Sequence, residues 1–359
     1  ERKNLISGHA SKFSMPIVYA NQVGGQDELV FDGTSMAMDS KGKQVLQLAK
    51  FEEDQAVVSF LSQHDGNIFS DKNEVIPEDS ELEEVYKALV LGAKDYINKN
   101  KFPGVLIGSS GGIDSALTAV IAADAIGSEN VRSFMMPFKF TSEMSVEDAN
   151  KLAENLGIKH SIIPIGEIYD SFQSSLECEF KGLEPDITEE NLQSRCRGVI
   201  LMALSNKSGE IVLTTGNKSE TAVGYSTLYG DTAGGFGVLK DVPKTLVYEL
   251  ARYRNTISKV IPERIIDRPP SAELAPDQQD SDSLPDYDTL DKIIELYVEQ
   301  DKSKKEIEES GIERSILNKV IRLIDFSEYK RRQAPLGVKI TSRGFGKDRR
   351  YPITNKFLK

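Results

Sequence analysis

The chain has 359 residues, 39% apolar and 28% charged, enough to build two domains or one large α/β domain. Its net charge of -12 disfavours extended nucleic-acid binding, and no apolar run approaches the ~20 residues of a membrane span. Two cysteines, Cys178 and Cys196, form no CxxC pair, and His9, His64 and His160 are scattered, which argues against a disulfide framework, a zinc site and histidine-based catalysis. No secretory signal pattern is visible, and a reduced, cytoplasmic setting is expected.

The first 60 residues read as a small β-rich block. Pro16–Asn21 is an expected strand, Val23–Gln26 a glycine turn, and Glu28–Gly33 a second strand closing a hairpin-like pair; 43–51 and 55–60 suggest two more. Residues 62–79 are polar, contain Pro77 and the charged run Asp71–Glu74, and read as a linker. From Ser80 the period changes. Leu82, Val85, Tyr86, Leu89, Val90, Ala93, Tyr96 and Ile97 recur at helical spacing behind a Ser80–Glu83 capping box. Strands at 103–108, 131–137, 160–164 and 210–215 then alternate with helices at 113–126, 143–156, 166–179 and 188–206. Such alternation predicts an α/β fold with a doubly wound parallel sheet, in which ligands bind at the carboxyl ends of the strands.

Two turns lie at such ends. Gly108-Ser109-Ser110-Gly111-Gly112-Ile113-Asp114-Ser115 joins an apolar strand to an apolar helix. A glycine-rich turn into a helix presents free backbone N–H groups to an anion, and Ser109, Ser110 and Ser115 add hydroxyl donors. Asp114 would repel phosphate unless a divalent cation lay between them, so the turn reads as a site for a polyphosphate with Mg2+. It is not the common P-loop, because no lysine follows the glycines. The second turn, Thr214-Thr215-Gly216-Asn217-Lys218-Ser219-Glu220, offers Glu220 as a second acid for the same metal; a glutamate on a solvated helix face is the plainer alternative. Residues 262–286, rich in Pro, Asp, Ser and Gln, read as a long loop with few apolar anchors, suited to a lid. Helices follow at 286–300, 302–310 and 313–326, and a locally basic tail spans 343–352.

The first loop resembles the SGGxDS pyrophosphatase loop of the ATP-pyrophosphatase superfamily. Residues 80–359 closely resemble the synthetase domain of NAD+ synthetases, a fold also described as adenine-nucleotide α-hydrolase-like. The resemblance rests on Ser110–Ser115, Asn191–Gly198, Thr215–Tyr225, Tyr229-Gly230-Asp231, Lys244, Pro270–Leu274 and Tyr329–Pro335. Residues 1–61 resemble the last part of the nitrilase-type glutamine amidotransferase domain of the glutamine-dependent branch, a partial α+β segment, carried by Asn21–Glu28 and Phe31–Ser35. That domain's Glu-Lys-Cys triad would lie upstream, and Cys178 and Cys196 fall in the synthetase part, so the sequence is expected to be a fragment dependent on free ammonia. Gly235 stands where ammonia-dependent members carry an aspartate.

The resemblance implies ATP-dependent amidation of deamido-NAD+ through an acyl-adenylate, with release of pyrophosphate and AMP and with ammonia drawn from glutamine in the intact enzyme. It implies that Gly108–Ser115, Thr215, Lys244 and Ser271 meet ATP, that Asp114 and Glu220 hold Mg2+, and that Asn191, Arg195, Glu220, Asp231 and Lys330 meet deamido-NAD+. Asp114, Glu220 and Lys244 would be catalytic. A homodimer or larger homo-oligomer is expected. Each residue has a plainer reading: Arg195 and Arg197 as surface charges, Lys244 as an ordinary first-turn residue after Pro243, Lys330–Arg332 as a solvated run, and 343–352 as a solvated tail. Two rival functions are another pyrophosphatase-loop enzyme, such as a GMP synthetase or a tRNA-thiolating enzyme, and a non-catalytic adenine-nucleotide binder. The thiolating enzymes would be expected to carry extra cysteines and a basic surface, and a mere binder has little need of two metal carboxylates.

Overall fold

Apolar periodicity is short and alternating before residue 60 and helical after residue 80, and the chain divides into two compact units, Glu1–Asp95 and Tyr96–Lys359, with the boundary inside the helix Glu81–Lys99. A computed structural model describes residues 1–62, 67–70, 79–276 and 278–354; His64, Pro77, the run 71–74 and most of the polar stretch 62–79 lie outside the described residues.

The first unit opens with an unexpected helix, α1 (Arg2–Phe13). Its apolar stripe is only Ile6 and Ala10, four residues apart, which bury against Met36 and Met38, and so thin a stripe gives little sequence signal. The strands are β1 (Ile17–Tyr19), β2 (Val23–Gln26), β3 (Leu29–Asp32), β4 (Met36–Met38), β5 (Gln44–Gln47), β6 (Leu61–Ser62) and β7 (Ile68–Phe69). The expected hairpin partners are wrong. Val23–Gln26 is itself a strand, paired antiparallel with β3 through a turn at Asp27, which takes φ 54°, whereas β1 pairs with β4. Aspartate tolerates the left-handed region better than most residues, so the turn falls there and not on the glycines. Of the two further expected strands, the first shortens to β5 and 55–60 forms no ladder. Helix α2 (Glu81–Lys99) follows, with Tyr86, Leu89, Ala93 and Ile97 buried as the spacing predicts.

The second unit is built on β8 (Val105–Ser109), β9 (Val131–Met135), β10 (Lys159–Ile162), β11 (Ile211–Thr214) and β12 (Phe236–Gly237). They form one parallel sheet in the order β10-β9-β8-β11-β12. The chain runs outward from β8 in one direction and from β11 in the other, so the topological switch lies between β8 and β11. Helix α3 (Ile113–Ile126) packs on β8 and β9 and against α4 (Glu143–Leu156). Its Leu117, Val120 and Ile121 are fully buried, each contributing about 1.5–3 kcal/mol of apolar burial. Leu106, Phe134 and Val212 join Tyr169 of α5 (Gly166–Leu176) and Cys196 and Leu201 of α6 (Ile187–Ser208) in another layer of the core.

Beyond the sheet come α7 (Lys218–Val223), α8 (Lys244–Ile257), α9 (Glu263–Asp267), α10 (Tyr287–Ile294), α11 (Lys304–Glu309), α12 (Arg314–Phe326) and α13 (Glu328–Arg331). Ala222 and Val223 of α7 seat a separate helical core formed by Leu290, Ile294, Leu317, Ile321 and their neighbours. The segment 262–286 differs from its expected character. It contains α9, and its Asp280 and Leu284 are buried. The tail is not solvated either: Tyr351 is buried, Arg349 lies over its ring, and Arg343 and Arg349 pair with Asp301. Among the described residues no helix is long and apolar enough to cross a membrane.

Candidate active site

The β8–α3 turn is braced from within. Ser115 Oγ donates to the Gly112 carbonyl at 3.0 Å and lies 3.1 Å from Ser110 Oγ, which accepts the Gly112 N–H at 3.2 Å. The N-cap, Gly112, offers no side chain, so the first-turn N–H groups of α3 keep their capacity for an external anion. Gly111 takes φ +76°, and a Cβ there would collide with the Ser145 carbonyl; only glycine fits.

At the switch point three charged side chains meet. Lys244 Nζ lies 2.5 Å from Asp114 Oδ2 and 3.4 Å from Glu220 Oε1. Asn217 caps α7 in a capping box with Glu220, and its Nδ2 donates to Asp114 Oδ1 at 2.8 Å. One residue therefore ties the β11–α7 turn to the β8–α3 turn. The electrostatics follow from burial. Desolvation pushes the Glu220 carboxyl up, Lys244 pulls it down, and the charges of Asp114 and Asp280 push it up again, to about 8. Burial pulls the Lys244 ammonium down, but Asp114 and Glu220 more than offset it and hold its pKa above the ordinary range.

These residues line a cleft of about 310 Å³. Gly108–Ser110, Gly112–Ser115, Thr215, Glu220, Asp231, Lys244, Ser271 and Lys330 all border it. Asn191 and Arg195 do not: Asn191 Oδ1 accepts the Thr227 hydroxyl at 2.7 Å, and Arg195 Nε donates to the Leu228 carbonyl at 3.3 Å. Lys330 Nζ donates to the Gly224 and Ser226 carbonyls at 2.7 and 2.6 Å, and Ser271 Oγ donates to the Gln278 carbonyl. Two plain readings are corrected. Arg197 is no surface charge: it lines the cleft, donates Nε to the Met136 carbonyl at 3.0 Å, and has its pKa lowered by burial. Arg331 is buried, donating to the Ala222 and Ile324 carbonyls and pairing with Glu328, so Lys330–Arg332 is not a solvated run.

The segment after α9 covers one side of the cleft. Glu273 accepts the Ser142 and Ser145 hydroxyls at 2.9 and 2.7 Å at the start of α4. Arg268 donates to Ser145 Oγ at 2.8 Å and to the Gly111 carbonyl at 3.4 Å. Asp280 accepts the hydroxyls of Tyr287 and Tyr225 at 2.7 and 3.4 Å. Sequence reasoning assigned no role to Arg268, Asp280 or Asn217; for Asn217 the Asn-x-x-Glu capping pattern was a readable signal. Among the described residues no group of three or more His, Cys, Asp or Glu side chains is arranged to hold a metal. Asp114 and Glu220 are nonetheless hard oxygen donors that converge on one cationic point in the cleft, which suits Mg2+ completed by phosphate oxygens and water.

The sheet and the charged residues of the cleft lie within a segment that matches a known family. The family described as NAD synthase matches residues 85–334. The chain belongs to the NAD synthase family. It is 50% identical, over 99% of its length, to the glutamine-dependent NAD(+) synthetase of Acinetobacter baylyi, covering 65% of that protein. It is 48% identical, over its whole length, to the Aquifex aeolicus protein of the same name, covering 68% of it. The structure of the Acinetobacter baumannii glutamine-dependent NAD+ synthetase in complex with ADP superposes with a TM-score of 0.71 at 48% identity, over 98% of this chain and 64% of that one. The chain thus spans about two thirds of the length of the relatives it matches.

Proposed function

We propose that this NAD synthase family member amidates deamido-NAD+ to NAD+ at the expense of ATP, through an acyl-adenylate, with release of pyrophosphate and AMP. The supporting observation is the convergence of the β8–α3 turn, Asp114, Glu220 and Lys244 in one cleft at the switch point of the sheet. A carboxylate does not react with ammonia; joined to AMP it gains a good leaving group. In this reading the α3 amides and the turn hold the pyrophosphate as it departs, and Lys244 neutralises charge on the phosphates. Thr215 and Ser271 meet ATP. Asp231 and Lys330 in the cleft, with Asn191 and Arg195 from α6, meet deamido-NAD+. Asp114 and Glu220 would hold Mg2+, which when bound offsets phosphate charge. The segment 268–285 shields the acyl-adenylate from water.

In the complete enzyme glutamine hydrolysis supplies the ammonia, residues 1–61 belong to the glutaminase part, and the enzyme works as a cytoplasmic homodimer or larger homo-oligomer. The two cysteines of this chain, exposed Cys178 and buried Cys196, both lie in the second unit, so ammonium is the expected nitrogen donor for the 359-residue chain. The test is NAD+ formation from deamido-NAD+, ATP and Mg2+, with ammonium and with glutamine in parallel. Product with ammonium alone is expected. No product with either donor overturns the reading, and ammonia-free turnover of glutamine overturns the assignment of the first unit.

A further inference from the structure

Helix α8 enters the site without a cap of its own. Its N-cap is Pro243, which has no side-chain acceptor, and its first internal bond runs from the Val247 N–H to the Pro243 carbonyl. The Lys244 and Thr245 amides are therefore orphan donors by helix geometry, and Lys244 is buried. Both are nevertheless satisfied. The Lys244 N–H donates to Ser219 Oγ at 2.8 Å, and the Thr245 N–H to Asp291 Oδ2 at 2.9 Å. The Thr245 hydroxyl donates to the same Oδ2 at 2.8 Å, and the Ser219 hydroxyl donates to Asp291 Oδ1. The acceptors come from α7 and α10, 25 and 46 residues away in sequence. Ser219 is fully buried and directly precedes Glu220.

We infer that Ser219 and Asp291 together cap α8 from outside the helix and are positioning residues for Lys244. The arrangement has a chemical logic. Asp291 accepts from three donors with both oxygens engaged, as an ionised carboxylate can. The Ser219 hydroxyl donates its hydrogen bond to Asp291 and so turns its lone pairs to the Lys244 amide. Because Ser219 shares the first turn of α7 with Glu220, one hydroxyl fixes the backbone of Lys244 relative to that of Glu220. The ammonium is thereby registered against both Glu220 and Asp114 before any ligand arrives. Asparagine at 291 would turn an amide NH2 toward one of the three donors.

The catalytic consequence rests on the function proposed above, but the cap itself does not, and the experiment separates them. Asp291→Asn and Ser219→Ala are made in the full 359-residue chain. Amide hydrogen exchange is followed at Lys244 and Thr245, with Leu117 and Val120 of α3 as internal references. Exchange at Lys244 and Thr245 is expected to accelerate at least tenfold in Asp291→Asn while the α3 amides are unchanged. In ammonium-dependent NAD+ formation, kcat is expected to fall about 10–30-fold, with KM for deamido-NAD+ within twofold, as a misplaced charge predicts. Ser219→Ala should show the same pattern, confined to the Lys244 amide. Unchanged exchange at both positions overturns the cap. Accelerated exchange with unaltered kcat overturns the positioning role. A rise in exchange spread equally over α3 shows general destabilisation and also overturns the inference. If the wild-type chain makes no NAD+, the functional reading fails while the exchange data still decide the cap.

Discussion

Among the described residues of the second unit are two buried lysines, each held between two carboxylates, and their surroundings differ. Lys244 is 2% exposed and pairs with Asp114 and Glu220, whose side chains remain 17% and 18% exposed in the cleft. Lys218, on the preceding helix, is 0% exposed and pairs with Asp241 at 3.0 Å and Glu299 at 2.8 Å, which are 7% and 13% exposed. Lys218 also donates to Thr341 Oγ1 at 2.6 Å and to the Arg343 carbonyl at 3.0 Å. Its donors are thus consumed by the protein: α7, the turn before α8, the helical turn at 295–299 and the tail are tied together. Among the described residues Lys244 shares its ammonium only with the two carboxylates and the face of the Tyr287 ring, and its carboxylates border the cleft. The difference teaches that a buried ion pair is a clamp when every donor is spent inside the protein, and stays open to a ligand when its acids still front a cavity.

The comparison can be broken most sharply at Asp114. Asp114→Asn removes charge at the cleft-facing centre, and pyrophosphate release from ATP and deamido-NAD+ is expected to fall at least about a thousandfold, equivalent to about 4 kcal/mol of barrier. Wild-type-like release would remove Asp114 from the working centre.

At the sealed cluster the expected effect is on stability. Lys218→Met leaves two carboxylates buried without a cation and should cost about 3–5 kcal/mol in urea unfolding. Adding Glu299→Gln should recover part of that loss. A Lys218→Met variant as stable as the wild type would show that the second cluster is no clamp.

The cleft-facing cluster should also show itself in the pH dependence of stability. Without ligand, the Glu220 carboxyl lies at about 8, raised from 4.5. A group whose folded pKa exceeds its unfolded value binds more protons when folded, so its contribution to stability is lost as pH rises from about 4.5 to about 8. Denaturant midpoints measured between pH 5 and 8 should therefore decline less in Glu220→Gln than in the wild type. An identical decline in both would assign the titration to another group.

The smallest expected effect concerns the covering segment. Glu273→Ala deletes the acceptor of two serine hydroxyls at the start of α4, worth about 1–2 kcal/mol locally. Limited proteolysis within 268–285 should speed up several-fold, and ATP with deamido-NAD+ should slow it in the wild type. Cleavage insensitive to both changes would mean that this segment does not shield the working centre.

Much of this molecule was legible in the chain. Strand–helix alternation after residue 100 gave the parallel sheet, and α3 and α4 fall on the expected residues. The Ser-Ser-Gly-Gly-Ile-Asp-Ser turn and the Asn-x-x-Glu cap are local patterns, and local patterns survive in sequence because backbone geometry enforces them. Tertiary structure decided the rest. No spacing rule links Lys244 to Asp114, 130 residues apart, or predicts that Lys218 would be sealed while Lys244 faces a cleft. Arg197 and Arg331 looked like surface charges because side-chain burial depends on what packs over a helix. The segment 268–285 looked unanchored because its anchors are mostly polar, Glu273 and Asp280 beside Leu284, and the polar partners come from α4, α10 and the turn after α7. Short-range hydrogen bonding and hydrophobic period are written along the chain; the pairing of buried charges is fixed only when distant elements close on one another and exclude water.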